Sequence, residues 1–468
     1  MFSRDTYINR RAALISQMGA GGGVVLIPGN ELSPNSYLNN AYYFRQDSSF
    51  RYLFGLDQPS LWGVIDLDSG ESALFGDDIT LDDIVWMGVQ PTLRERAAEV
   101  GVESTHSISE LIRFVSVARG VGRKIHILPP YRGETKIALA NLLDIPIAAL
   151  ANSLSPELIF AIAELRECKS AEEIEELERA YKIGYEMHTA AMRMTRPGVV
   201  EREIGGTLEG IARRLGAGVS FPPICTQHGE TLHNVEREGV LQSGRLLLCD
   251  AGGETLSGYC SDHTRTYPVS GKFTTIQRDI YNVALSAHDH VREVAHPGML
   301  YSDLQRATYQ RLAEGMRDLG FVRGSTDHIV ESGAISMFMP HGVGHGLGLD
   351  VHDCEALGER TFDVERFAEQ AERSTSCIIR SRWVFREGSV LTNEPGIYFI
   401  PELIERRRSE GLYRGVVDWD MVCKHLDFGG IRIEDDIIIT ESGCREIGAA
   451  ADFKIPITIE EIQTFMKQ

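Results

Sequence analysis

The chain is short of several things that would settle its class at once. Its eight cysteines, at 168, 225, 249, 260, 354, 377, 423 and 444, form no CxxC pair in 468 residues. That excludes a disulfide scaffold and fits reduced thiols in a cytoplasm. Long apolar runs are missing too. The most apolar region, Ile137 to Leu165, is broken by Asp144, Pro146, Pro156, Glu157 and Glu164, so it is not read as a membrane span. The opening MFSRDTYINRRAALISQMG holds no apolar core of signal-peptide length. Positive charge is scarce: 47 lysines and arginines against 67 aspartates and glutamates leave a net charge of −20. So acidic a chain repels nucleic-acid backbones and anionic membranes, and neither is expected as a partner. No GxGxxG, HExxH, GxSxG or GxxxxGK[ST] is present, and no Ser/His/Asp or Cys/His arrangement stands out. The glycine run Gly19–Gly23 precedes a strand pattern instead of following one, so it reads as a connection and not a phosphate cradle. What remains is a cytoplasmic protein of ordinary globular composition, long enough for two large domains.

The first third alternates helical and strand patterns and reads as an α/β domain. Residues 5–18 suit a helix, and 23–29 suit a strand closed by a turn. WGVIDLDSGESALF (62–75) suits two strands around Asp68-Ser69-Gly70. Further helical patterns lie near 91–100, 107–116 and 134–144. A domain boundary is expected at 166–170. There Ser170 and Glu173 form a capping box, and Ile174, Leu177, Tyr181, Tyr185, His188 and Met192 mark one face of a helix running to about 194. His188, on that apolar face, reads as a core histidine. After 245 the pattern turns to strands: 246–271 as a hairpin with its turn near Thr255–Gly258, then 390–400 and 429–440.

Twelve of the fourteen histidines follow residue 170. Three fall in MPHGVGHGLGLDVH (339–352), where the glycines argue against a helix. In extended chain, His341 and His345 point to one face, and the glycines let a substrate or metal approach the backbone. Carboxylates join this cluster. Asp250 ends the apolar strand LLLCD, and Asp262 lies on the return strand. In an antiparallel hairpin with an odd-numbered loop the two can sit opposite each other, a destabilising pair unless a cation lies between them. Glu394 ends VLTNE, and Glu434 shares a strand face with Arg432 in IRIE. A single acid at a strand end is ordinarily an ion-paired surface residue. Four of them on apolar strands beside a histidine cluster suit two divalent cations, and a mostly oxygen donor set favours Mn²⁺, Co²⁺ or Zn²⁺ over a thiolate site. Two such ions at roughly 3.5–4 Å share a hydroxide and polarise a carbonyl.

With these residues in place, the sequence resembles the proline-specific metallopeptidases of the pita-bread fold, the prolidases (Xaa-Pro dipeptidases) and aminopeptidases P. The segments LLLCDAGGE, YCSDHTRTYPVSGKFT, MPHGVGHGLGLDVHD, LTNEPGIYFI and FGGIRIEDD carry the resemblance in the family's order. FRQDSSFRYLFGL (44–56) resembles the group's N-terminal domain. The resemblance implies an α+β chain: an N-terminal creatinase/aminopeptidase P-like α/β domain over 1–167, then a catalytic domain over 168–468 with a curved, mainly antiparallel sheet. It implies Asp250, Asp262, His345, Glu394 and Glu434 as ligands of two divalent ions, Mn²⁺ first, with Co²⁺ or Zn²⁺ as alternatives. Glu394 then doubles as general base to the bridging hydroxide, His352 contacts the scissile carbonyl, and His341 contacts the substrate beside the proline. His233 is placed over the proline pocket, with His228 as rival. Arg432 supports the catalytic centre, and Arg380, with Arg382 as rival, receives a dipeptide's carboxylate. Asp435 is expected behind the ligands.

The activity so implied is hydrolysis of Xaa-Pro bonds in small peptides with proline second, inclining to the dipeptidase. Aminopeptidase P acting on longer peptides is the alternative, and an inactive binding module is a remote third. A homodimer is implied by analogy, with Phe50–Leu56 as one candidate for the contact. Three departures from the family pattern stand out: a longer turn between Asp250 and Asp262, an expanded segment from Cys354 to Ile379, and Asn393 in place of an apolar residue.

Overall fold

The structure, a computed structural model, describes residues 1–37, 39–358, 383–448 and 453–467. The chain divides into two compact units, the first being Met1–Arg166 with a short segment that starts at Cys354. Its five-stranded sheet runs in the order Ser104–His106, Ser72–Phe75, Trp62–Asp66, Val24–Pro28, Ile125–His126. The central pairings are antiparallel and the two edge pairings parallel. Val24, Val25, Leu26 and Ile27 are wholly buried, as expected of an apolar run covered on both faces. Gly70, at φ +78°, closes the turn of the expected hairpin, its N–H donating to the Asp66 carbonyl at 2.8 Å.

Helices Arg4–Met18, Leu93–Glu99, Ile108–Gly120 and Gly133–Leu142 stand close to the predicted positions. Ser48–Phe54 is a helix the sequence reading did not pick out. Asp47 caps it, accepting from the Phe50 N–H at 2.9 Å, and all its residues are buried. The stretch Phe50–Leu56 is therefore core and is not available as a contact surface. The exposed apolar face lies elsewhere: helix Leu81–Met87 buries no residue, and Trp86 is 87% exposed beside Leu81, Val85 and Met87. Among the described residues, no single helix is long and apolar enough to cross a membrane.

The second unit holds Glu167–Asp353 and the described residues from 383 onward. Helix Ala171–Met194 starts at the predicted capping box, Ser170 with Glu173. His188 is fully buried in it, with Nε2 3.1 Å from the Ala251 carbonyl. The sequence reading passed over two long helices after 245, Thr275–Val294 and Tyr301–Asp318, which pack on each other. Their signals are a Thr274–Gln277 capping box and the buried spacing Ile280, Ala284, Ala287, Val291.

Among the described residues, the strand pairings of this unit are antiparallel. Leu246–Ala251 lies between Ile224–Thr226 and His263–Pro268, and Val390–Asn393 pairs with Asp435–Ile439. A bridge from Thr264 to Glu434 joins the two sheets, with the Glu434 N–H donating to Thr264 at 3.0 Å. The hairpin register differs from the expected one: Asp250 faces Thr264, not Asp262. The turn closes between Thr255 and Tyr259 (2.9 Å), and moving a turn's centre by one residue displaces every cross-strand partner by two. Asp262 is thus the diagonal neighbour of Asp250, on the same face.

Candidate metal centre

Five strand ends and loops bring the candidate ligands together. Asp250 sits in Leu246–Ala251, and Asp262 just precedes His263–Pro268. Glu394 follows Val390–Asn393, and Glu434 lies between Gly430–Arg432 and Asp435–Ile439. The glycine-rich segment runs extended beside Val390–Asn393. The Thr392 N–H donates to the His345 carbonyl (2.9 Å), the His345 N–H to Thr392 Oγ1 (3.1 Å), and the Glu394 N–H to Val343 (2.9 Å). A Cβ on Gly344 would stand 1.9 Å from the Thr392 carbonyl oxygen, so only glycine permits this approach. The extended run turns both histidines toward Glu394: His341 Nδ1 is 3.6 Å from Oε2, and His345 Nε2 is 3.8 Å from Oε1.

Asp262, His345 and Glu434 each offer a ligand atom, and these atoms lie within 4.8 Å of one another, all three residues buried. His345 Nε2 is 3.4 Å from Asp262 Oδ2. Arg432 Nη2 donates to Asp250 Oδ2 at 2.5 Å, while Asp250 Oδ1 is buried without a hydrogen-bond partner. Thr264 donates through Oγ1 to Glu434 Oε2 at 2.6 Å. Burial, and then the charges of Glu434, Asp250, Asp436 and Glu394, push the Asp262 carboxyl well above the ordinary range. Glu434 is raised likewise by burial, Glu394 and Asp250, against the pull of Arg432. Among the described residues, these carboxylates meet one guanidinium, that of Arg432, and are short of positive charge. The unpartnered Asp250 oxygen and the clustered donor atoms fit divalent cations held mainly by oxygen.

Around this centre the other predicted residues fall into place unevenly. His341 is flanked by Tyr398, whose hydroxyl lies 3.0 Å from His341 Nε2 and accepts from Arg432 Nη1 at 2.9 Å. Burial, with Arg432 next, lowers His341 to about 3, so the ring is neutral near pH 7. His352 is exposed, and its ring stacks on that of His345 with centroids 3.7 Å apart. His233 is exposed and near enough to His341 to oppose its protonation. Its rival His228 is paired with Glu230 at 3.0 Å. Arg380 and Arg382 lie outside the described residues. Asp435 faces away, bonded to Arg265 at 2.7 Å and 3.2 Å from His288 Nε2. His288, Asp435 and Glu446 also cluster within 4.8 Å. Arg265 and Arg292 already offset that second pair of carboxylates.

Sequence reasoning missed Thr264, Tyr398 and Asp436. Asp436 Oδ2 accepts the Asp262 N–H at 3.1 Å. Asp436 adjoins a predicted residue, but its bond to Asp262 spans 174 positions and leaves no local signal.

Comparison with known proteins places this geometry. Residues 175–441 match the model of metallopeptidase family M24, and residues 7–126 that of the aminopeptidase P N-terminal domain. The Xaa-Pro dipeptidase of Homo sapiens is 29% identical over 95% of this chain and 89% of its own length. The Xaa-Pro aminopeptidase of Escherichia coli (strain K12) is 30% identical over 99% of this chain and 98% of its own. The structure of zinc-substituted E. coli aminopeptidase P in complex with product superposes with a TM-score of 0.79 at 29% identity, covering 100% of this chain and 99% of that one. The fold of the second unit is the pita-bread fold, and its buried cluster offers a donor set that could hold a divalent metal ion. The chain belongs to metallopeptidase family M24 and carries an aminopeptidase P-type N-terminal domain.

Proposed function

We propose that the chain is a metal-dependent exopeptidase that cleaves the Xaa-Pro bond at the N-terminus of small peptides. The observation that carries this reading is the buried convergence of Asp262, His345 and Glu434 within 4.8 Å. Asp250 and Glu394 complete a five-ligand set for two divalent ions. The site alone speaks for metal-assisted hydrolysis; preference for proline comes from likeness to relatives named for Xaa-Pro substrates. When bound, the ions supply a nucleophile from water near neutral pH and polarise the substrate carbonyl.

The chain's own residues do the rest. Glu394 is the partly exposed carboxylate that receives the proton of the attacking water. His341, kept neutral, orients the substrate beside the proline, and His352 faces the scissile carbonyl. Arg432 holds the Asp250 carboxylate and, through Tyr398, the ring of His341. His233 lies over the proline ring. An Xaa-Pro amide has no N–H to offer, so recognition rests on shape and on the carbonyl.

The dipeptidase is the first reading, with Arg380 or Arg382 as the clamp for a C-terminal carboxylate, and aminopeptidase P is the alternative. Mn²⁺ is the metal proposed first, with Co²⁺ or Zn²⁺ next. We place residues 1–167 and 168–468 as the two domains of a cytoplasmic homodimer. The exposed face around Trp86 supplies the apolar surface that a dimer would cover. The test is hydrolysis of Ala-Pro against Ala-Pro-Ala after Mn²⁺ loading, with a chelated control. Cleavage of the dipeptide alone supports the dipeptidase, and preference for the tripeptide supports aminopeptidase P. No metal-dependent cleavage of either overturns the assignment.

A further inference from the structure

Lys169 has no place in the site described above, yet it is tied to it. Its Nζ lies 2.9 Å from Asp353 Oδ2, 184 positions away, and the two side chains are 3% and 2% exposed. Nζ also donates to the Glu167 carbonyl at 3.3 Å. Asp353 directly follows His352. Its other oxygen accepts the Asp350 N–H at 3.2 Å, and its own N–H donates to the Gly346 carbonyl at 2.8 Å. The segment from Gly346 to Asp353 therefore closes on itself, with His345 entering it and His352 leaving it. The approach is tight: a Cβ on Gly348 would meet Asp353 Oδ2 at 2.6 Å and Lys169 Cε at 3.0 Å. Across this closure the rings of His345 and His352 stack, 13° from parallel.

A buried ion pair of this kind adds little net stability, because desolvation offsets the attraction. Breaking it is costly, because it strands a charge. Its directional effect is the larger one. An ammonium anchored on the approach to helix Ala171–Met194 fixes the carboxylate next to His352, and so the height and tilt of that ring over the metal ligand His345. We infer that Lys169 and Asp353 form a positioning pair for His352, setting the rate of the chemical step more than the affinity for peptide or metal. The inference rests on the reading that His352 faces the scissile carbonyl.

The experiment compares Lys169→Met, Asp353→Asn and the double variant with wild type, as full-length protein. Five quantities are read: kcat and KM on the better of Ala-Pro and Ala-Pro-Ala, bound Mn²⁺ per chain, the melting temperature, and the His352 ring Cε1–H resonance in the diamagnetic Zn²⁺-loaded form. That resonance is assigned by its loss in His352→Gln. Groups that orient metal-site residues from behind typically matter 10–100-fold. Each single variant should therefore lower kcat about 10–100-fold, with KM within about threefold and metal content kept. Both should move the His352 resonance toward that of an unstacked histidine. The double variant, which removes both charges of the pair, should recover melting temperature relative to the singles but not kcat or the resonance. If the singles fail to fold, the double variant alone decides.

A double variant with wild-type kcat and an unmoved resonance overturns the inference, as does a loss of turnover that tracks loss of metal. A moved resonance in a protein whose wild type cleaves neither peptide would instead overturn the assigned reaction and leave the positioning role standing.

Discussion

Glu434→Gln should make the metal-free protein more stable and the metal-loaded protein inactive, a reversal of sign that few structural substitutions share. Glu434 is buried, and its carboxylate shares a 4.8 Å cluster with that of Asp262. Two like charges at that separation repel by about 3.5 kcal/mol at an effective dielectric of about 20. Arg432 offsets part of this, and protonation of the raised carboxyls relieves another part, leaving about 2 kcal/mol to recover on neutralising the side chain. Glutamine keeps an oxygen to accept from Thr264 Oγ1, the bond now 2.6 Å long, so that hydroxyl keeps its acceptor, and the new amide N–H groups face the neighbouring carboxylates. For a unit of this size the gain corresponds to a rise of about 3 °C in Tm. Thermal scans of both proteins in chelator and in excess Mn²⁺, with turnover on the better Xaa-Pro substrate, read all the terms. In chelator the variant should melt higher. In Mn²⁺ it should gain far less than wild type and turn over at least about 1,000-fold more slowly, because one of the proposed metal ligands would be lost. A lower melting temperature in chelator would show that the carboxylate is held by favourable bonds and not crowded by like charge. Retained turnover with full metal content would remove Glu434 from the ligand set.

His341→Ala should cost turnover, about 100-fold, while leaving bound metal near wild type; equal loss of both, by kinetics and metal analysis, would make His341 a ligand. Asp262 and Glu434 have folded-state pKa values raised above their unfolded ones. Their contribution to the metal-free fold is therefore full below about pH 4 and is lost as pH rises through the raised values. The cation must displace those protons, so the gain in Tm from Mn²⁺ should be larger at pH 8 than at pH 5, with proton release on binding; a gain independent of pH would refute this. Gly344→Ala places a methyl 1.9 Å from the Thr392 carbonyl. It should destabilise the second unit by about 3 kcal/mol, and an unchanged denaturation midpoint would show that the two segments can separate.

The candidate metal ligands were legible because each chemistry-bearing residue stands against an apolar or glycine-rich background. LLLCD, VLTNE and IRIE each place one acid where a strand pattern predicts burial, and GVGHG removes every side chain that could compete with a histidine. The register between Asp250 and Asp262 was not legible. It depends on which residue centres the Thr255–Tyr259 turn, and one position there changes every partner by two. The helices Thr275–Val294 and Tyr301–Asp318 were missed because the strand signals on either side dominated the reading. Phe50–Leu56 could as well have been surface as core until Asp47 was seen to cap a buried helix.

Residue types and their local periods pointed to two units, an acidic candidate metal site and the face shared by His341 and His345, since these expectations follow from side-chain chemistry and alternation along the chain. Long-range pairing needed the folded chain. Arg432 meeting Asp250, Tyr398 standing between Arg432 and His341, and Lys169 reaching Asp353 join residues 34 to 184 positions apart. Contacts at such separations are set by how the sheets close on each other, and nothing in the neighbouring residues encodes them.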